Sequence, residues 1–239
     1  EIDNKYLYLE WGKPLDLYYS KNSKPFTNSK KKKILIVGNS HAIGLFNSFN
    51  LNKDIFSNYE FSVLRIGLPD LKKKKFIEFE KSEYIFLSKR YSDSKNFKKF
   101  FNDWQVFLKK EKKKFIVVLN RPEFLSNSAN NYTLLDEKIY PKIRENSNNL
   151  IKFKKEISKN YYNLQQARVK KTNDTIKKVL IEKNIKYLDP FDYSCNEVLK
   201  YCNVLTDGNS KIYYDYGHYT LEGSKFFGKK IKILNWLKM

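Results

Sequence analysis

The chain has 239 residues, of which 41% are hydrophobic, 16% aromatic and 31% charged, and its 47 Lys and Arg against 26 Asp and Glu give a formal net charge of +21. That length allows one large domain, or a domain with an appendage, with a core that needs no staples, and the aromatic content excludes a disordered tail. The longest apolar runs, 34–37 and 115–119, fall far short of the ~20 residues of a spanning helix, which excludes a membrane segment inside this stretch.

Residues 1–30 carry scattered aromatics and two prolines without a sustained period, so an N-terminal extension or linker is expected there and a domain over 31–239. Glu1 opens the chain without the charged-then-apolar layout of a signal peptide. It reads as a mature or excised piece, with room for a membrane domain upstream. Ile34 to Val37 is a continuous apolar run before Gly38, the pattern of a strand buried on both faces. Ala42, Leu45, Phe46 and Phe49 then recur at helical spacing. A second strand is expected over Phe61 to Ile66, ending at Gly67 and Pro69. A third, Tyr84 to Leu87, precedes a helix with Phe97, Phe100, Phe101, Trp104 and Phe107 as its apolar positions. Phe115 to Leu119 reads as a fourth strand, closed by Pro122. The polar stretch from Thr133 to Asn184 reads as helices broken around Glu145 to Asn149. Ile185 to Leu188 is a fifth strand, stopped by Pro190. A last helix is expected from Leu221 to Leu237, capped by Thr220, with Phe227, Ile231 and Leu234 on one face. Strands alternating with helices five times imply a parallel sheet covered on both sides, an α/β three-layer fold.

The positive charge is almost all lysine, since only Arg65, Arg90, Arg121, Arg144 and Arg168 are arginines. Nucleic-acid readers rely on arginine for bidentate contacts, so no nucleic-acid partner is expected. Runs such as Lys30 to Lys33 and Lys72 to Lys75 read as solvated residues at strand and helix mouths, with an anionic-glycan surface as the other reading. Cys195 and Cys202 lack the spacing and neighbouring histidines of a zinc site. A local disulfide and two unpaired thiols both remain open on spacing alone. No metal or cofactor is expected.

Ligands of open parallel sheets bind beyond the carboxyl ends of the strands. The first such end carries Gly38-Asn39-Ser40-His41 immediately before a helix, where an oxyanion is favoured. A serine nucleophile needs a base, and the chain has two histidines. His41 adjoins Ser40, and neighbouring side chains diverge. His218, in Asp215-Tyr216-Gly217-His218 before the last helix, has an acid three residues away that can fix its tautomer.

Gly38-Asn39-Ser40-His41-Ala42 resembles the first block, GDSHA, of the SGNH (GDSL-like) esterases and acyltransferases. Asp215 to Gly223, DYGHYTLEG, resembles their last block, DxxHLTxxG. Tyr84 to Tyr91, Phe115 to Phe124 with its Pro122-Glu123-Phe124, and Tyr187 to Asp215 with the two cysteines resemble one branch, the SGNH domain at the C-terminus of acyltransferase-3 type membrane proteins that O-acetylate surface polysaccharides. The resemblance covers about 31–239. It implies a five-stranded, flavodoxin-like SGNH-hydrolase fold, with Ser40 as nucleophile, His218 as base and acid, and Asp215 as its orienting carboxylate. It also implies a Cys195–Cys202 disulfide and a periplasmic or extracellular place beside a membrane domain. A carbohydrate would be the acceptor, and the acyl donor would be relayed from the upstream membrane acyltransferase domain. The chain departs from the family pattern in having Asn39 where Asp is usual and in lacking a GxND third block. Expected oxyanion donors are the Ser40 and Gly67 backbone N–H groups, with Arg90 standing where the third-block donor belongs. A free-standing carbohydrate esterase and a non-catalytic glycan-binding module are the alternatives.

Overall fold

The computed structural model describes residues 8–92, 96–125 and 150–238. Five strands, β1 (Lys32–Gly38), β2 (Tyr59–Leu64), β3 (Tyr84–Ser88), β4 (Lys114–Val118) and β5 (Lys186–Leu188), form one sheet in the order β2-β1-β3-β4-β5. Every neighbouring pair is parallel, so this is the doubly wound, flavodoxin-like order. The helices are α1 (Lys13–Asn22), α2 (Ser40–Asn50), α3 (Leu68–Lys73), α4 (Ile77–Lys81), α5 (Phe97–Lys110), α6 (Leu150–Asn163), α7 (Ala167–Glu182), α8 (Phe191–Ser194) and α9 (Leu221–Ile233).

Successive strand residues face opposite sides, and the core divides accordingly. Ile34, Ile36, Phe86, Ile116 and Val118 pack with Phe46 and Phe49 of α2 and Phe227 and Ile231 of α9. Leu35, Val37, Ile85, Leu87 and Val117 pack with Phe101, Trp104 and Leu108 of α5 and Ile176 and Leu180 of α7. Both faces of β1 are therefore buried, which is why its sequence is apolar without alternation.

Three details differ from the sequence reading. β2 stops at Leu64 rather than Ile66, because its one partner, β1, offers no pairing beyond Val37↔Leu64. α9 ends at Ile233, and Leu234 is 43% exposed. Asn235 turns with φ +52°, and Trp236 and Leu237 return to the core in its place. The break expected at 145–149 lies outside the described residues, and the described interruption is at 164–166, where Gln165 bridges to Phe124.

Within residues 8–30, Leu15 and Phe26 are buried, and Asn47 Nδ2 donates to Leu15 O at 3.5 Å. Cys195 and Cys202 form a disulfide across a two-stranded hairpin, β6 (Cys195–Asn196) and β7 (Tyr201–Cys202). Among the described residues no helix is long and apolar enough to cross a membrane.

Candidate active site

The site begins with a glycine that nothing else can replace. Gly38 closes β1 with φ +155°, and a Cβ there would lie 1.8 Å from Ser88 O. Only the missing side chain lets the end of β1 lie this close to β3. Asn39 then caps α2, its Oδ1 accepting from His41 N at 3.1 Å and from Arg90 N at 3.3 Å. Both bonds need an oxygen acceptor and no charge, so asparagine serves where the family carries aspartate. Ser40 becomes the first helical residue, with its N–H lacking an acceptor inside the helix and lying at the positive end of the helix dipole.

The second half arrives from the loop before α9. His218 Nε2 lies 2.9 Å from Ser40 Oγ, and His218 Nδ1 lies 2.7 Å from Asp215 Oδ2. The other carboxylate oxygen, Oδ1, accepts from Gly217 N at 2.9 Å and His218 N at 2.7 Å, so Asp215 cannot rotate without losing three bonds. Burial favours its neutral form, but the bonds from His218, Gly217 and the His218 amide prevail and hold its pKa below the usual carboxylate value. The loop is tied by Phe124 N donating to Tyr216 O at 2.8 Å and Tyr214 N donating to His218 O at 3.0 Å. Tyr214 stacks on the His218 ring and Tyr216 meets it edge-on. Thr220 caps α9 by accepting from Gly223 N at 2.9 Å.

The structure thus brings Ser40, His218 and Asp215 into one relay. His41 takes no part in it. The residue is 5% exposed, and burial first, then the Arg121, His218 and Arg90 charges, press its pKa well below the ordinary histidine value.

Two expected oxyanion donors are already engaged. Gly67 N–H donates to Asp70 Oδ2 at 3.1 Å, a cap at the start of α3. Arg90 forks the Glu123 carboxylate, Nε to Oε1 and Nη2 to Oε2, both at 2.6 Å. In this arrangement the Gly67 N–H is taken up at a helix cap and Arg90 is turned onto Glu123 through its Nε and Nη2, so the structure does not show the two converging with Ser40 on one point. A carboxylate takes up each: Asp70 from the same turn as Gly67, and Glu123 from the segment after β4.

Sequence reasoning passed over two sets of residues here. Arg121 is 3% exposed and has no ion pair among the described residues. Its Nη2 donates to Ser40 O at 3.4 Å, its plane lies 4.4 Å from the centre of the Tyr219 ring, and its Nη1 has no partner. It is wedged between the Ser40 helix and the residue after His218. Asn120 and Asn173 form the second set. Asn120 exchanges bonds with Tyr91 N and O at 2.7 and 3.2 Å, and Asn173 does the same with the Asn120 backbone at 3.1 and 2.9 Å. This buried clamp fixes the loop that carries Arg90. The arginine beside Pro122 was a visible signal, because a lone Arg in a lysine-rich chain sits there at a strand end.

Two cavities meet at Asn39. One, of about 490 Å³, is walled mainly by apolar residues including Ile66, Leu68, Leu87, Phe100 and Trp104. The other, of about 420 Å³, is polar and contains Arg90, Glu123 and Arg168.

The family model described as the SGNH domain fused to AT3 domains matches residues 14–232. Among solved structures, the chain is similar to the periplasmic domain of a lipopolysaccharide acetyltransferase from Salmonella ser. Paratyphi A, at 18% identity and TM-score 0.64, covering 96% of this chain and 97% of that one. It also matches a GDSL-like lipase from Bacteroides thetaiotaomicron at 13% identity and TM-score 0.48, covering 95% and 96%. No curated protein sequence matches the chain. At such identities the first of these likenesses shows the shared fold, and the family model, which spans nearly the whole chain, shows descent. This chain belongs to the family of SGNH domains that are fused to AT3 domains.

Proposed function

We propose that this domain transfers an acetyl or other short acyl group to a hydroxyl of a cell-surface polysaccharide through an ester on Ser40. The observation that carries the reading is the relay from Ser40 Oγ through His218 to Asp215, with contacts of 2.9 and 2.7 Å, at the carboxyl end of the sheet. Asp215 on Nδ1 selects the tautomer with a free Nε2 facing the hydroxyl. Ser40 Oγ attacks the acyl carbonyl while Nε2 takes its proton. The developing oxyanion lies at the start of α2, where the Ser40 N–H and the helix dipole favour negative charge. The imidazolium then protonates the leaving oxygen, and the acyl group remains on Ser40. In the second half, Nε2 takes the proton of an acceptor hydroxyl, whose oxygen attacks the ester and restores Ser40.

The fusion recorded for the family, and the periplasmic acetyltransferase domain with the same fold, support a donor group handed on by a membrane acyltransferase domain, outside the cytoplasm. In this reading residues 1–30 lead from that domain to the catalytic body at 31–239.

The test is cleavage of p-nitrophenyl acetate, together with transfer to an added oligosaccharide and labelling by a fluorophosphonate. Ser40→Ala should lose about 10³-fold or more of turnover and all labelling, and His218→Ala should nearly match it, because the residues act as a unit. Undiminished turnover in Ser40→Ala would overturn the mechanism. Acetylated sugar in the products favours the transferase, and acetate alone favours the esterase.

A further inference from the structure

The polar cavity beside Asn39 contains more positive charge than its own carboxylate requires. Glu123 is 1% exposed and is fully satisfied by Arg90, whose two bonds to it are 2.6 Å long. Arg168, in the first turn of α7, has its Nη2 3.7 Å from the same carboxylate, beyond hydrogen-bond reach, and its side chain is 62% exposed. Among the described residues its one short bond goes from Nε to Gln166 Oε1 at 2.8 Å. Two guanidiniums thus flank one carboxylate, leaving an excess positive charge, and each has N–H groups to spare beyond those bonds.

The choice of residue adds to this. The chain uses lysine for nearly all its positive charge, yet two of its five arginines stand on this one wall. Lysine suffices for a solvated surface charge, whereas a planar fork is what recognises carboxylate or phosphate by paired bonds. The cavity, at about 420 Å³, is in the range of small-ligand sites. Asn39, the residue before Ser40, forms part of its wall, which sets the cavity beside the strand-to-helix turn that carries the nucleophile. The apolar cavity on the other side of Asn39 lacks this chemistry.

We propose that this cavity binds an anionic group, a carboxylate or phosphate on a sugar, of the acceptor glycan, so that the domain selects an acidic polysaccharide. The proposal rests on the acyltransfer reading above, and its test is independent of turnover. The whole chain carrying Ser40→Ala is titrated calorimetrically with trigalacturonic acid, with its uncharged methyl ester and with glucose 6-phosphate. The acid should bind at least about tenfold more tightly than its ester, and Arg168→Gln should remove about tenfold of that affinity, the loss expected for one charge-assisted contact at a half-open site. Arg168→Lys should fall between. Lys98→Gln, which removes an exposed cation on α5 paired with Glu182, should change nothing. Tighter binding of glucose 6-phosphate than of the acid would name phosphate as the group. Equal binding of acid and ester, no binding of either anion at millimolar concentration, or an equal loss in Lys98→Gln would overturn the proposal. Anion binding with an inert Ser40 would instead overturn the mechanism and leave this site standing.

Discussion

Arg121 and His41 are two buried groups beside the relay, and the surroundings of each have a measurable consequence. An ionised group kept from water without a counter-charge works against folding, and an apolar residue of similar shape is often as stable or more so. Arg121 is therefore explained by what it holds, the Ser40 helix on one side and Tyr219 on the other. Arg121→Met should leave the melting temperature unchanged or raised while lowering turnover of p-nitrophenyl acetate about tenfold, read from kcat with KM little changed. A lower melting temperature with normal kcat would make it a purely structural residue. His41 stays neutral in the fold because burial and the Arg121, His218 and Arg90 charges oppose its proton. Unfolding restores a pKa of about 6.5. Below that pH the unfolded chain gains a proton that the folded chain refuses, so stability should fall on acidification, by up to ~1.4 kcal/mol per pH unit. Urea denaturation at pH 7.5, 6.5 and 5.5 should show a larger loss of stability on acidification in the wild type than in His41→Gln, since Asp192, raised to about 6, acts in the opposite direction but equally in both. Asp215 does not confuse the measurement. Its depressed pKa makes its contribution full above about pH 4, outside the window. Equal slopes in the two proteins would refute the account.

Among the elements, the site depends on the contact of α2 with α9, the first opening on Ser40 and the second following His218. Their approach is set by Gly228. A Cβ there would lie 2.1 Å from Ser48 O and 2.1 Å from Asn52 Nδ2, and Asn52 Nδ2 itself ties the helices by donating to Ser48 O and Lys225 O at 2.8 and 3.0 Å. Gly228→Ala should thus force the helices apart and destabilise the fold by about 1–3 kcal/mol, as overpacking does. Turnover should fall with it, since the 2.9 Å contact of Ser40 and His218 joins the start of α2 to the loop that leads into α9. Urea denaturation and ester cleavage measured on one preparation test both. Unchanged stability would mean the helices are set by the sheet instead. The helix and strand types were legible from apolar spacing because both sheet faces are covered. Their ends were less so: Leu234 continues the helical stripe in sequence, yet it is Trp236 and Leu237 that reach the core after the turn at Asn235.

At the scale of the whole molecule, residues 178 positions apart meet at the mouth of a five-stranded sheet. What the sequence determined by itself was everything written at short range. Apolar runs and helical spacing specified the elements, and Gly38-Asn39-Ser40 marked the strand-to-helix turn. Asp215 and His218, three apart, identified an acid that could hold the imidazole. These follow from local backbone geometry and from the periods of helix and strand, which one sequence displays directly. The tertiary structure decided which groups are left free to act. Gly67 and Arg90 stood in suitable places along the chain, but Asp70 and Glu123 engage them. Arg121 and Arg168 looked like two more cations, and folding buried one behind the nucleophile and set the other at the rim of a cavity. A hydrogen-bond donor is available only if no nearer acceptor claims it. Asp70 caps Gly67 within one turn, whereas Glu123 reaches Arg90 from 33 residues away, and it is competition of this second kind, between side chains that only the fold brings together, that residue order alone does not resolve.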